Sequence, residues 1–282
     1  MNGFQRHVAA CNNAVLPGLR RRLWIEGAPV GWVPPETEAA IVALGGSAAA
    51  EGVTVPPGDL PALARALLAR LGFRPREEAF DVRSDETGAV VAQVDRGALP
   101  LLGIAALGVH LNGLVERADG PHLWVGRRAA NKQLDPGKLD HLVAGGVPAG
   151  LTPEQTLAKE AAEEAGLPSA LVRRARPVAV IAYAMERREG LRRDRLHCYD
   201  LELPEDFAPS PVDGEVSGFE LWPLARALDA VRDGDAFKFN VNLVLIDLFL
   251  RRGLIDPQGE EGRRLRAGLD EGQERSLAPP AP

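Results

Sequence analysis

Cysteine is nearly absent from this chain: Cys11 and Cys198 are the only two in 282 residues. They are too far apart in sequence to suggest a disulfide framework and lack metal-site spacing, so both read as free thiols of a cytoplasmic chain. No apolar run approaches the ~20 residues of a membrane-spanning helix, and the N-terminus lacks the charged-then-apolar pattern of a signal peptide. No membrane association is expected. A basic excess is missing too. With 33 Lys and Arg against 39 Asp and Glu, the net charge is −6, which argues against a protein that coats nucleic acid. The arginine clusters at Arg20 to Arg22, Arg173 to Arg176 and Arg192 to Arg195 read as solvated loops and helix ends. His110, His122, His141 and His197 are scattered and read as structural or surface residues. His141 stands out because it lies four residues before a glycine turn.

Apolar side chains, by contrast, make up 45% of the chain, ample for a core. The length suggests one to two domains, and the pattern changes near residue 105. Residues 1–105 read as a smaller α+β accessory domain. It holds a helix around Phe4 to Asn13, a β segment near Trp24 to Trp32, a helix at Leu60 to Leu71 and a hairpin-like stretch from Glu78 to Val94. No catalytic motif is visible there. Residues 106–258 are strand-rich. Gly108 to Glu116 and His122 to Arg128 read as a strand pair, followed by Leu139 to Ala144, Val178 to Met185, Arg195 to Leu203 and Gly218 to Trp222. Ala225 to Arg232 and Asn240 to Arg252 read as helices. The mixture predicts an α/β class. Residues 259–282, charged and ending in APPAP, are expected to form a poorly ordered tail.

The most informative stretch is Gly145 to Leu167, GGVPAGLTPEQTLAKEAAEEAGL. Thr152, Pro153 and Gln155 supply an N-cap, a proline at the first helical position and a capping-box partner. Gly166 and Pro168 stop the helix at about Ala165. At 100° per residue, Glu160, Glu163 and Glu164 fall within about a third of the circumference, with Ala158, Ala161, Ala162 and Ala165 opposite. Carboxylates this close repel by roughly 0.2–0.5 kcal/mol per pair. A hard cation such as Mg²⁺, which prefers oxygen ligands, removes that penalty. A glutamate-rich face alone is most often just solvated. Here, however, Ala144-Gly145-Gly146 and Ala149-Gly150 precede it, a turn that lets backbone approach a ligand closely.

This spacing resembles the Nudix signature, Gly-x5-Glu-x7-Arg-Glu-U-x-Glu-Glu-x-Gly-U, with U a bulky apolar residue. Gly145, Glu160, Glu163, Glu164, Gly166 and Leu167 match. Leu151 stands in place of the first glutamate, Lys159 in place of the arginine, and Ala161 is smaller than usual. The flanking segments WVGRRAANKQLDPGKLDHLVAGG, VDGEVSGFELWPL and FKFNVNLVLIDLFLRRGLIDP are similar to the Nudix branch fused or related to thiamine pyrophosphokinases in fungi and plants. In that branch lysine is common at the arginine position. An N-terminal accessory domain also fits this branch.

The resemblance implies an α/β/α sandwich with a mixed sheet, and metal-assisted attack of water on a phosphoanhydride. Gly145, Glu160, Glu163 and Glu164 would hold Mg²⁺ or Mn²⁺. Glu163, Glu164 and Glu215 are the candidate catalytic residues, Glu215 as general base from a separate loop. Arg127, Arg128, Lys132 and Lys138 precede the glycine turn and are candidates for substrate phosphate; strand alternation lets at most one of Arg127 and Arg128 point there. The branch implies a small-molecule diphosphate substrate of thiamine diphosphate type, oxidised or damaged, cleaved to monophosphate and phosphate. Homodimers are common in the family. Two other readings stand beside this one. The first is a broad nucleotide or sugar diphosphatase, on a scaffold shared with isopentenyl diphosphate isomerases. The second is a degenerate module that binds without turnover.

Overall fold

In the computed structural model, which describes residues 3–276, helix α1 (Gly3–Cys11) precedes a four-stranded sheet. Its strands are β1 (Arg21–Ile25), β2 (Ala28–Val33), β3 (Ser47–Ala49) and β4 (Gly52–Thr54), in the order β2-β1-β4-β3. Helices α2 (Pro35–Ala43) and α3 (Leu60–Arg70) follow β2 and β4. A separate hairpin comes next, β5 (Ala79–Arg83) with β6 (Val90–Asp95), and then short α4 (Leu99–Leu102). In α3, Leu60, Leu63, Ala64, Leu67 and Leu68 are all buried; this is the i, i+3, i+4 stripe of a helix lying on a core. With Leu23, Ile25, Val53 and Phe80 they belong to one apolar cluster running from Leu23 to Ile104.

The second sheet has seven strands. β7 (Ala105–Arg117), β8 (Gly120–Arg128), β11 (Arg176–Arg187), β12 (Gly190–Glu202) and β13 (Val216–Pro223) run in the order β11-β12-β7-β8-β13. β7 and β12 pair in parallel over ten residues; the other pairings are antiparallel. β7 and β8 pair only from Leu114 to Arg117. Where they diverge, β9 (Leu139–Asp140) joins β8 and β10 (Val143–Gly146) joins β7. The single strand expected at Leu139 to Ala144 is therefore two, broken at His141 and Leu142 where the chain changes partner.

Helices α5 (Pro153–Ala165) and α6 (Ser169–Val172) cover one face of this sheet over Val109, Leu111, Val143 and Leu201. The other face carries α7 (Leu224–Asp233), α8 (Val241–Arg251) and α9 (Glu260–Ser276), joined by α1. Every residue of α8 from Val241 to Leu250 is buried, as befits a helix enclosed on all sides. The result is the α/β/α sandwich with a mixed sheet, preceded by an α+β region. No helix among the described residues is long and apolar enough to cross a membrane.

Two expectations are corrected. α1 does not lie with the N-terminal core: Phe4, Val8 and Cys11 pack into the same cluster as α7 and α8. The segment from Glu260, expected as a loose tail, is helix α9, with Leu265 and Leu269 buried and Arg266 donating to Asp247 at 2.8 Å. Its glycines are contact points. A Cβ at Gly268 would stand 2.7 Å from Val8 Cγ1, and one at Gly272 would stand 2.4 Å from the Ala182 carbonyl oxygen. Residues 277–282 of that expected tail lie outside the described residues.

Candidate functional site

Helix α5 begins as its sequence predicts. The Thr152 side chain accepts from the Gln155 N–H, Gln155 reciprocates at the Thr152 N–H, and Gly166 caps the far end with φ 62°. The packed face differs from the expected alanine stripe. Leu157, Ala161, Glu164 and Ala165 are buried, whereas Ala158 and Ala162 are exposed. The helix is thus rolled so that its glutamates stand at the edge of the sheet, against β10.

Each carboxylate meets a different environment. Glu164 is 6% exposed and accepts from the Ala144 N–H at 3.0 Å. Burial pushes it up to about 8; the Ala144 hydrogen bond opposes this, while the charges of Asp140, Glu160 and Glu215 add to it. Glu160 lies against Gly145: a Cβ there would come within 2.6 Å of Glu160 Cγ and 2.7 Å of Cδ, so no other residue fits without moving the carboxylate. Burial raises Glu160 as well, against the pull of Lys159. Glu163 is half exposed and meets Lys159 Nζ at 2.5 Å, with Glu160 3.4 Å from the same ammonium. Where the signature has arginine, one lysine thus bridges two of the three carboxylates.

Glu215, from the loop before β13, belongs to this group. Its backbone carbonyl accepts from the Ala129 N–H at 2.9 Å, its carboxylate pairs with Lys132, and its charge reaches both Glu160 and Glu164. The other basic residues go elsewhere. Arg128 donates to Asp140 at 2.7 Å and to the Leu134 carbonyl at 2.8 Å, so its guanidinium holds the Ala129 to Lys138 turn and is not available to phosphate. Arg127 donates to the Gly137 carbonyl and Glu220. Lys138 lies close enough to His7 of α1 for its charge to depress that imidazole, after the larger effect of burial.

Two features of the site escaped the sequence. The first is a buried polar group beneath the turn. His110 Nδ1 and His141 Nδ1 are 2.8 Å apart, one donating to the other, with Asp140 alongside. Their ligand atoms lie within 4.8 Å of one another, a spacing that admits a cation. Arg128 and Lys238 already flank Asp140, at 2.7 and 3.7 Å, which balances its charge; the two Nδ1 atoms pair with each other, and His141 Nε2 is buried with no hydrogen-bond partner among the described residues. Burial holds His141 down at about 4 and His110 well below its ordinary value. Both therefore fold neutral. The unfolded chain takes up protons at pH 6.5 that the folded one refuses, so stability is full above that pH and falls as pH drops towards 4. Each unit of displacement is worth about 1.4 kcal/mol. Urea midpoints measured from pH 7 to 4 should show this slope, and His141→Gln should flatten it.

The second feature is the N-terminal hairpin on the glycine turn. Ala149 N–H donates to the Ala79 carbonyl at 2.8 Å and Gly150 N–H to Asp81 at 3.2 Å. No local pattern announces a contact between segments some seventy residues apart.

A glycine turn is thus pressed on one glutamate of a capped helix that carries three. The family model described as NUDIX domain matches residues 107–241. Residues 107–241 are a Nudix domain. The chain is 42% identical over 208 residues to Nudix hydrolase 24, chloroplastic, of Arabidopsis thaliana, covering 72% of this chain and 57% of that protein. It is 43% identical over 183 residues to Nudix hydrolase 20, chloroplastic, of the same plant, covering 65% and 49%. The chain thus spans about half the length of these relatives. Among solved structures it is similar to DR0079 from Deinococcus radiodurans, with 24% identity and a TM-score of 0.46, covering 60% of this chain and 97% of that one. The Nudix domain embraces β7 to β13 and α5; the N-terminal core lies outside the match.

By donor type the set suits a hard divalent cation, while the ligand atoms that lie within 4.8 Å of one another among the described residues are those of His110, Asp140 and His141. The glutamate set is all oxygen: three carboxylates and the backbone of Gly145, with burial raising two of the carboxylates and one lysine shared between two of them. Such a cluster is short of positive charge.

Proposed function

We propose that this chain is a Nudix hydrolase that cleaves the phosphoanhydride bond of a small-molecule diphosphate with the help of Mg²⁺ or Mn²⁺. The observation that carries the reading is the contact of Glu160 with Gly145 beside the buried Glu164. Glu160, Glu163, Glu164 and the Gly145 carbonyl are the residues that would hold the cation. When bound, the cation supplies charge neutralisation at phosphate oxygens and a lowered pKa for water. Glu215 would take the proton of the attacking water; its charge reaches Glu160 and Glu164 from a separate loop, which supports that role. Lys132, paired with Glu215, orients that carboxylate. The missing side chains at Gly145 and Gly146 leave backbone as the surface next to the carboxylates.

The flanking segments support a thiamine diphosphate-like substrate, oxidised or damaged, giving monophosphate and phosphate. A phosphate-release screen with Mg²⁺ or Mn²⁺ across thiamine-type, nucleotide and sugar diphosphates tests both levels. Release from thiamine-type diphosphates in preference to the others is expected. Release from nucleotide or sugar diphosphates alone would remove the thiamine assignment, and no release from any diphosphate would remove the hydrolase.

A further inference from the structure

The N-terminal region does more than abut the turn. A Cβ at Gly146 would stand 2.7 Å from Phe80 Cζ and 3.3 Å from Arg96 Cζ, so the Arg96 guanidinium lies directly against the residue after Gly145. Arg96 is held over the Phe80 ring at 5.2 Å and by Glu78 at 2.9 Å. Across from it, the β11–β12 hairpin sets Arg187 and Arg192 over the Phe239 ring at 5.1 and 5.6 Å, next to Lys238. Arg76 completes the group. Its backbone N–H binds Asp95, while its guanidinium has no hydrogen-bond or ion-pair partner among the described residues.

These cations come from three separate stretches of chain and are close enough to feel one another. Burial lowers Arg76 first, and the charges of Arg96 and Arg192 lower it further. Lys238 is lowered by burial and then by Arg128, Arg192 and Arg96, with Asp140 opposing. Arg187 and Arg192 have acidic partners of their own, Glu189 at 3.8 Å and Asp194 at 2.7 Å. Lys238 shares its carboxylate with Arg128. Gathering cations at one point costs free energy unless an anion joins them. Gly145 and Gly146 are successive residues of β10, so the glutamates gather carboxylates on the opposite face of the same strand, across the edge that β10 does not share with β7. A diphosphate carrying a divalent cation has one part for each group.

We infer that Arg76 and Arg96 form an anion subsite, so that the N-terminal region supplies contacts to a phosphate of the substrate that the Nudix domain alone does not provide. Resting on the hydrolase reading for its substrate, the inference is nonetheless testable without turnover. Arg76 is the cleaner position because the residue is exposed overall and its guanidinium, though partly desolvated, holds nothing in place. In the intact chain, Arg76→Ala and Arg96→Ala should each weaken binding of inorganic pyrophosphate, titrated calorimetrically with EDTA present, by about tenfold, the effect of one lost charge-assisted hydrogen bond. Arg76→Lys should lose less, and Arg70→Ala, exposed at the last turn of α3, should lose nothing. With a cleaved diphosphate, KM should rise about tenfold in Arg76→Ala while kcat changes little. Weakened pyrophosphate binding in a protein that hydrolyses no diphosphate would keep the subsite and discard the hydrolase. Unchanged pyrophosphate affinity and KM in both alanine variants, or no pyrophosphate binding by the wild type, would overturn the subsite and leave the hydrolase standing.

Discussion

Glu164→Gln is expected to lower kcat by about a thousandfold or more while the protein folds normally. The amide keeps the shape of the side chain, and its oxygen can still accept from the Ala144 N–H at the position where the carboxylate does. What it loses is the charge. A Nudix cation contributes several kcal/mol of transition-state stabilisation, and each 1.36 kcal/mol is tenfold in rate, so removing a buried ligand is worth roughly three orders of magnitude. The metal-free fold should not suffer, because burial already pushes Glu164 up to about 8 and the neutral amide resembles the protonated acid. The decisive comparison is therefore paired. Mg²⁺ should raise the Tm of the wild type and raise that of Glu164→Gln far less, with circular dichroism spectra matching. A variant that kept turnover within tenfold of wild type would show that Glu164 is merely a buried acid.

How much of this was legible in the sequence depended on how local the cause was. α5 could be read from Thr152, Pro153, Gln155 and Gly166 because capping involves neighbours in the chain. Its packed face could not, since Ala158 and Ala162 look as suited to a sheet as Glu164 looks unsuited. The approach of Gly145 to Glu160 and the Ala144 N–H donated to Glu164 turn that acid inward and leave the two alanines outside. The position before the turn makes Arg128 one of four candidates for phosphate; its partners, Asp140 and the Leu134 carbonyl, come together only once the turn is folded. The His110–His141 pair joins residues 31 apart across the gap between β7 and β8, and no periodicity encodes it. The charge of the segment from Glu260 reads as a loose tail, whereas Leu265 and Leu269 are buried and the contacts at Gly268 and Gly272 require small residues.

The second large effect concerns how the N-terminal region is fastened to the Nudix domain. Arg193 on β12 has a side chain with 0% exposure, and its guanidinium donates to both Asp85 oxygens at 3.0 and 3.1 Å and to the Gly103 carbonyl at 3.0 Å. Arg22 of β1 donates to the same Asp85 at 2.8 Å, so one carboxylate 5% exposed serves two cations. Removing it strands charge where water cannot reach. Asp85→Ala should destabilise the protein by about 3–5 kcal/mol, the usual cost of breaking a buried pair from one side, which lowers Tm by on the order of 10 °C. Asp85→Asn should fall between, since an amide oxygen still accepts but carries no charge. The triple change Asp85→Leu with Arg22→Met and Arg193→Met should recover much of the loss, because it removes both cations together with the carboxylate they share. Urea denaturation followed by tryptophan fluorescence reads both regions at once, through Trp24 and Trp32 on one side and Trp124 and Trp222 on the other. A loss under 1 kcal/mol in Asp85→Ala would mean that Arg193 finds another partner and that the two regions are joined by their apolar contacts alone.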